Sequence, residues 1–140
     1  MNILSGVLRA HQAIYEATGG LIGHRILGVP TLLLSTTGRR SGQRRTSALF
    51  YTRDGERQIV VASNGGDSKP PAWLLNLQAN PQVEVQIGRN KHPATASEIE
   101  PGDGDYDRLW KAVNRANSGR YDVYQSRTKR PISLVALTPS

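Results

Sequence analysis

The chain has 140 residues, with 18 basic and 11 acidic side chains and a net charge of +7. That length suits one domain with a real hydrophobic core. The absence of cysteine excludes disulfides, thiolate nucleophiles and cysteine metal sites. The excess of positive charge favours anionic partners without choosing among nucleic acid, acidic lipid and small anions.

Ile3, Leu4, Val7, Leu8, Ile14 and Tyr15 recur mostly three or four apart, and Gly19-Gly20 follows. This spacing predicts an amphipathic helix over about 3–18, packed on the core or touching a membrane or apolar substrate. From Pro30 the period changes. "TLLLSTT" and "RTSALFYT" read as strands, and "RDGE" gives an Asp-Gly turn into a third strand, "RQIVVAS". A turn-rich loop, "SNGGDSKPP", leads to a short helix, "AWLLNLQAN", ended by Asn80-Pro81. "VEVQIG" and "HPATASEIE" form the next hairpin across Arg89-Asn90-Lys91. Asp103 to Asn117 is helical, with Asp103, Asp105 and Asp107 capping its start, and "ISLVALTP" is the last strand.

About six mostly antiparallel strands with flanking helices make an α+β domain around a closed or partly closed β-barrel, one domain over 1–140. No apolar run approaches the roughly 18–20 residues that span a bilayer. The N-terminus lacks the pattern of a secretory signal, so a cytoplasmic location is expected. His11, His24 and His92 show no ligand spacing, so no metal site is expected.

Three constellations carry chemistry. Arg39, Arg40, Arg44 and Arg45 crowd the loop between the first two strands, with Gly38, Gly42, Thr36, Thr37 and Ser41. Guanidinium forks, hydroxyls and glycine amides suit phosphate and carboxylate groups, so the loop is either a polyanion site or a solvated hairpin tip. Asn64-Gly65-Gly66 offers free amides after a strand, Lys69 adds a cation, and Pro70-Pro71 leads into a helix start that favours an anion. Trp73 and Asn76 lie three apart on that helix, on one face. Tyr121 and Tyr124, also three apart, either line an apolar pocket or pack in the core. No nucleophile elbow, Cys–His pair or obvious acid–base pair is present, so an enzyme built on this chain relies on a cofactor.

"TTGRRSGQRRT", "YTRDGERQIVVASNGGDSKPPAWLLNLQANPQVEVQIG" and "VYQSRTKRPISLVAL", in this order, resemble the deazaflavin-dependent nitroreductase family, whose members use coenzyme F420. The resemblance runs from about Pro30 to Leu137 and implies a split β-barrel of the FMN-binding type. It implies that Arg39, Arg40, Ser41, Gly42, Gln43 and Arg45 hold the cofactor's phosphate and acidic glutamyl tail. It places Val61, Ala62, Ser63 and Asn64 along the deazaflavin ring. Lys69, Ala72, Trp73, Leu74, Leu75 and Asn76 complete the cofactor site.

Tyr121 and Tyr124 match the family's substrate-side tyrosines. Tyr124 is expected to orient or protonate the reduced substrate, with Ser63 near the ring. Phe50 stands where the family often has a tyrosine, and Asn117 or Ser118 replaces another, which implies a less phenolic pocket. The expected reaction is hydride transfer from reduced coenzyme F420 to a quinone, enone or nitro compound, an apolar small-molecule acceptor. A non-catalytic F420 or flavin carrier, FMN in place of F420, and a basic nucleic-acid-binding barrel are the alternatives. The N-terminal helix fits peripheral contact with a membrane-borne quinone.

Overall fold

Strand alternation in this chain builds a sheet with two buried faces, and the helices divide between them. A computed structural model describes residues 25–26 and 29–140. The predicted helix over 3–18 lies outside them. The strands are β1 (Arg25–Ile26), β2 (Val29–Thr37), β3 (Arg44–Phe50), β4 (Thr52–Asp54), β5 (Arg57–Val61), β6 (Gln82–Ile87), β7 (Asn90–Ile99) and β8 (Leu134–Pro139). The helices are α1 (Ala72–Ala79), α2 (Tyr106–Ala116) and α3 (Arg120–Ser126), with a single 3₁₀ turn at Asn64–Gly66.

All pairings are antiparallel, in the order β1-β2-β6-β7-β8-β5-β4, and β3 pairs with β2. The expected α+β split barrel is the observed architecture. Its strand count among the described residues is eight rather than about six. The second predicted strand divides at Tyr51 into β3 and β4, and the short β1 precedes β2. The β6–β7 turn is tighter than expected: Ile87 pairs with Asn90, which leaves Gly88 and Arg89 as the loop. Gly88 has φ +60, a left-handed backbone that glycine adopts without a Cβ clash.

On one face of the sheet, Leu32, Leu34, Val60, Val85, Val135 and Leu137 pack with Trp73, Leu74 and Leu77 of α1. On the other face, Ile59, Leu134 and Ala136 pack with Tyr106, Leu109 and Val113 of α2 and Tyr121 and Tyr124 of α3. Neighbours in β5 and β8 therefore serve opposite layers, as a period of two requires. In the sequence α3 shows only as two tyrosines three apart.

The start of α2 also differs from expectation. Asp105 makes no side-chain cap, and its carboxylate instead lies 3.5 Å from Arg108 and 3.9 Å from Arg57. Asp103 closes the preceding turn by accepting from the Glu100 N–H at 2.7 Å. With arginines this close, the ion pair outcompetes the cap.

Candidate functional site

The β2–β3 hairpin ends its ladder at Thr37–Arg44, and residues 38–43 form the loop. The Gly38 N–H donates to the Gln43 carbonyl at 2.7 Å, and the Gly42 N–H donates to the Gly38 carbonyl at 2.8 Å. The Gln43 N–H donates to Ser41 Oγ at 3.1 Å. Gly42 takes φ +70 to close this turn. Gln43, Ser41 and Gly42 thus shape the loop, while the arginines project from it.

Asn76 joins the loop to α1. Its Oδ1 accepts from both the backbone N–H and Nη1 of Arg39, each at 3.1 Å, and its Nδ2 donates to Thr36 Oγ1 at 3.2 Å. Arg44 pairs with Glu84 at 2.7 Å. The Arg40 and Arg45 side chains have no hydrogen-bonded or acidic partner among the described residues. Between the loop and the N-terminal end of α1 lies a cleft of about 570 Å³. Arg39, Arg40, Ser41, Arg45, Trp73 and Asn76 line it, and Ala72 stands at its rim. Arg44, expected with the other loop arginines, lines it as well, and so do Thr46 and Ser47, which the sequence does not single out. Strand alternation hides the last two, because they lie on opposite faces of β3 and meet the cleft together only since it wraps an edge strand.

Gly42 lines a different, smaller hollow beside β6. Leu74 is buried in the core and borders a third hollow with Glu98 and Arg130, which none of the loop arginines lines. Leu75 is half-buried and Lys69 exposed.

Val61 ends β5, and the buried Ala62 and Ser63 follow it. Asn64 is left-handed at φ +45, Gly65 at +65 and Gly66 at +84. The Asn64 side chain donates to the Lys69 carbonyl at 3.0 Å. Arg130 clamps this loop with Nη1 on the Ala62 carbonyl at 3.1 Å, Nη2 on that of Ser63 at 2.8 Å and Nε on that of Asp67 at 2.9 Å. Removal from water lowers the Arg130 pKa, against the pull of Asp67. No local pattern singles out Arg130, because its partners lie more than sixty positions earlier in the chain. Gly66 seats the loop on α3, since a Cβ there would stand 2.7 Å from the Tyr124 carbonyl oxygen.

Tyr121 and Tyr124 are buried and meet edge to face, with ring centroids 6.2 Å apart. Burial raises the Tyr121 pKa, opposed by its hydrogen bond from Asn117. The Arg120 guanidinium lies 5.8 Å from the Phe50 ring centroid, so α3 reaches across to β3. The α2–α3 corner that carries Asn117 is tied by Asp122, which accepts from Trp110 Nε1 at 2.8 Å and donates its N–H to Asn114 Oδ1 at 2.9 Å.

The fold is the split β-barrel found in an F420-H2 dependent reductase, and here an arginine-lined cleft lies beside its edge strand β3. The chain belongs to the F420H(2)-dependent quinone reductase family, whose model matches residues 7–139. It is similar to the F420H(2)-dependent quinone reductase Rv1261c of Mycobacterium tuberculosis, 53% identical over 133 residues, which are 94% of this chain and 89% of that protein. Among solved structures it is similar to an F420-H2 dependent reductase, FDR-A, at 37% identity and TM-score 0.69, over 77% of this chain and 93% of that one. It is also similar to a domain-swapped dimer at 34% identity and TM-score 0.71, over 92% of this chain and 96% of that one. The likeness to the haem storage protein HutZ of Vibrio cholerae, 19% identical with TM-score 0.63 over 79% of this chain and 81% of that one, concerns the fold alone.

Proposed function

We propose that this chain reduces quinones with reduced coenzyme F420. The observation that carries the reading is the cleft, where Arg40 and Arg45 lack counter-charges among the described residues. Family membership supports the same cofactor and acceptor. The cleft suits a long anion. Guanidiniums match a phosphate and a glutamyl tail, and Trp73 and Ala72 give an apolar wall towards a ring.

When bound, reduced F420 supplies a hydride, which turns a quinone into a hydroquinone anion that one proton completes. The residues position both partners. Arg39, Arg40 and Arg45 bind the anionic groups, and Arg39 is held for this by Asn76. Ser41, Gly42 and Gln43 keep the loop open in that shape. Val61, Ala62, Ser63 and Asn64 offer a backbone edge to the ring, fixed by Arg130. Lys69 and the segment from Ala72 to Asn76 close the cofactor side, with Leu74 and Leu75 supporting it from within. Tyr121 and Tyr124 face the acceptor, and Tyr124 orients it or hands over the proton. Holding two rings in contact replaces a bimolecular encounter, which is the larger part of what such a protein contributes.

No helix among the described residues is long and apolar enough to cross a membrane. Contact with a membrane-borne quinone would rest on the segment over 3–18.

The test is a fluorescence titration with oxidised F420 and with FMN, followed by quinone reduction with F420H2. Saturable F420 binding and turnover support the reading. Binding without turnover makes the protein a carrier, FMN binding alone changes the cofactor, and retention on single-stranded nucleic acid at moderate salt with neither cofactor bound overturns the reading.

A further inference from the structure

Three tyrosines on the face covered by α2 and α3 use their hydroxyls in opposite directions. Tyr106 Oη donates to the Ile132 carbonyl at 2.6 Å, so its hydrogen is committed to holding α2 on the sheet. Tyr121 Oη instead accepts from Asn117 Nδ2 at 3.1 Å, and Tyr124 Oη accepts from Arg120 Nη1 at 3.3 Å. Among the described residues neither hydroxyl has an acceptor for its own hydrogen.

A phenol and an amide can each be turned either way, but a guanidinium only donates. Arg120 Nε donates to Asn117 Oδ1 at 3.2 Å, which fixes the amide oxygen towards the arginine and its NH₂ towards Tyr121. Tyr124, facing Nη1 of the same guanidinium, has to accept as well. One side chain therefore sets the polarity of both phenols. Arg120 is itself steadied over the Phe50 ring.

A hydroxyl hydrogen left unmatched in a buried place costs about 1–3 kcal/mol, which a ligand atom recovers. We propose that Asn117 and Arg120 are positioning residues that make Tyr121 and Tyr124 hydrogen-bond donors towards the acceptor, and so select acceptors that carry a carbonyl or another acceptor-only oxygen. The inference rests on the reading of α3 as the substrate side. A quinone oxygen only accepts, and two donors on it grip harder as it gains negative charge during reduction.

The test is Asn117→Asp, which keeps the shape of the side chain. The carboxylate still takes Arg120, but it turns Tyr121 round and captures its hydrogen. With F420H2 and menadione, N117D is expected to lower kcat about tenfold, as Tyr121→Phe does, with F420 affinity unchanged; tenfold corresponds to about one hydrogen bond. The N117D/Y121F double variant is expected to lose no more than either single one. The cycle of Arg120→Met with Tyr124→Phe reads the other arm independently, should N117D not fold. Additive losses, or wild-type kcat in N117D while Y121F is slow, overturn the inference alone. Wild-type turnover in both Y121F and Y124F overturns the reading of α3 as the substrate side, and the inference with it.

Discussion

Four arginines at one hairpin end repel one another, and the structure gives partners to only two of them. Glu84 takes Arg44, and Asn76 holds Arg39 without neutralising it. The Arg40 and Arg45 side chains have no counter-charge among the described residues, which on the proposed reading leaves them to a ligand. Replacing both with Ala is expected to weaken F420 binding at least tenfold and to flatten its salt dependence. The basis is that a charge-assisted hydrogen bond contributes roughly 1.5–3 kcal/mol. Thermal stability should hold or rise slightly, because a repulsion goes and no bond is lost. Titrations at two salt concentrations, beside melting curves, check both halves, and unchanged affinity would remove the tail-binding role.

Asn76→Leu acts differently. It strands the Arg39 N–H and the Thr36 hydroxyl, so urea unfolding should show a loss of about 1–3 kcal/mol, with weaker cofactor binding following from a loosened Arg39.

Among the elements, the joint between the 62–67 loop and α3 matters most. Gly66 sits at φ +84 with no room for a Cβ against Tyr124, so Gly66→Ala must strain the backbone and push α3 outward. The expected result is a variant that melts several degrees lower and loses quinone turnover more than F420 affinity, because Gly66 abuts α3 and does not line the arginine cleft. Equal losses in both would mean that the joint serves the cofactor rather than the acceptor.

The same elements show how far the sequence was legible. Period-two runs read β2, β5, β6 and β8 well, because each strand has a buried face of aliphatic residues. Local signals also read the arginine loop, since glycine and charge spacing act within a few positions, whereas its approach to α1 is implied only by the family resemblance. α3 was missed as a helix, because seven residues with two tyrosines carry too little period. Arg120 and Arg130 carry no local signal, and Asn117 shows only as a replaced tyrosine, since what these side chains do depends on a partner across the fold or on the direction of a hydrogen bond.

Across the whole molecule, positive charge favours anionic ligands and strains the fold in acid. Protonating every carboxylate and histidine would raise the side-chain charge from +7 towards 18 + 3 = +21. The structure opposes this chiefly through Asp54, which ties the β4–β5 hairpin to α2. Its Oδ1 accepts from Arg108 Nη1 at 2.9 Å, and Arg57 bonds its Oδ2. Those two guanidiniums lower its pKa to about 2.

A carboxylate whose pKa is depressed by folding stabilises the fold fully above the unfolded value, near 3.9, and loses that contribution as pH falls through the folded value. Melting temperature should therefore hold from pH 7 to about 5 and drop between about pH 4 and about pH 2. Asp54→Asn should melt roughly 3 °C lower at pH 7 and decline less steeply in that acid window, since it has no proton to take up. Parallel declines in the two proteins would mean that general repulsion, and not this network, sets the acid limit. Phosphate buffer has to be avoided, because an anion in the arginine cleft would stabilise the folded state by itself.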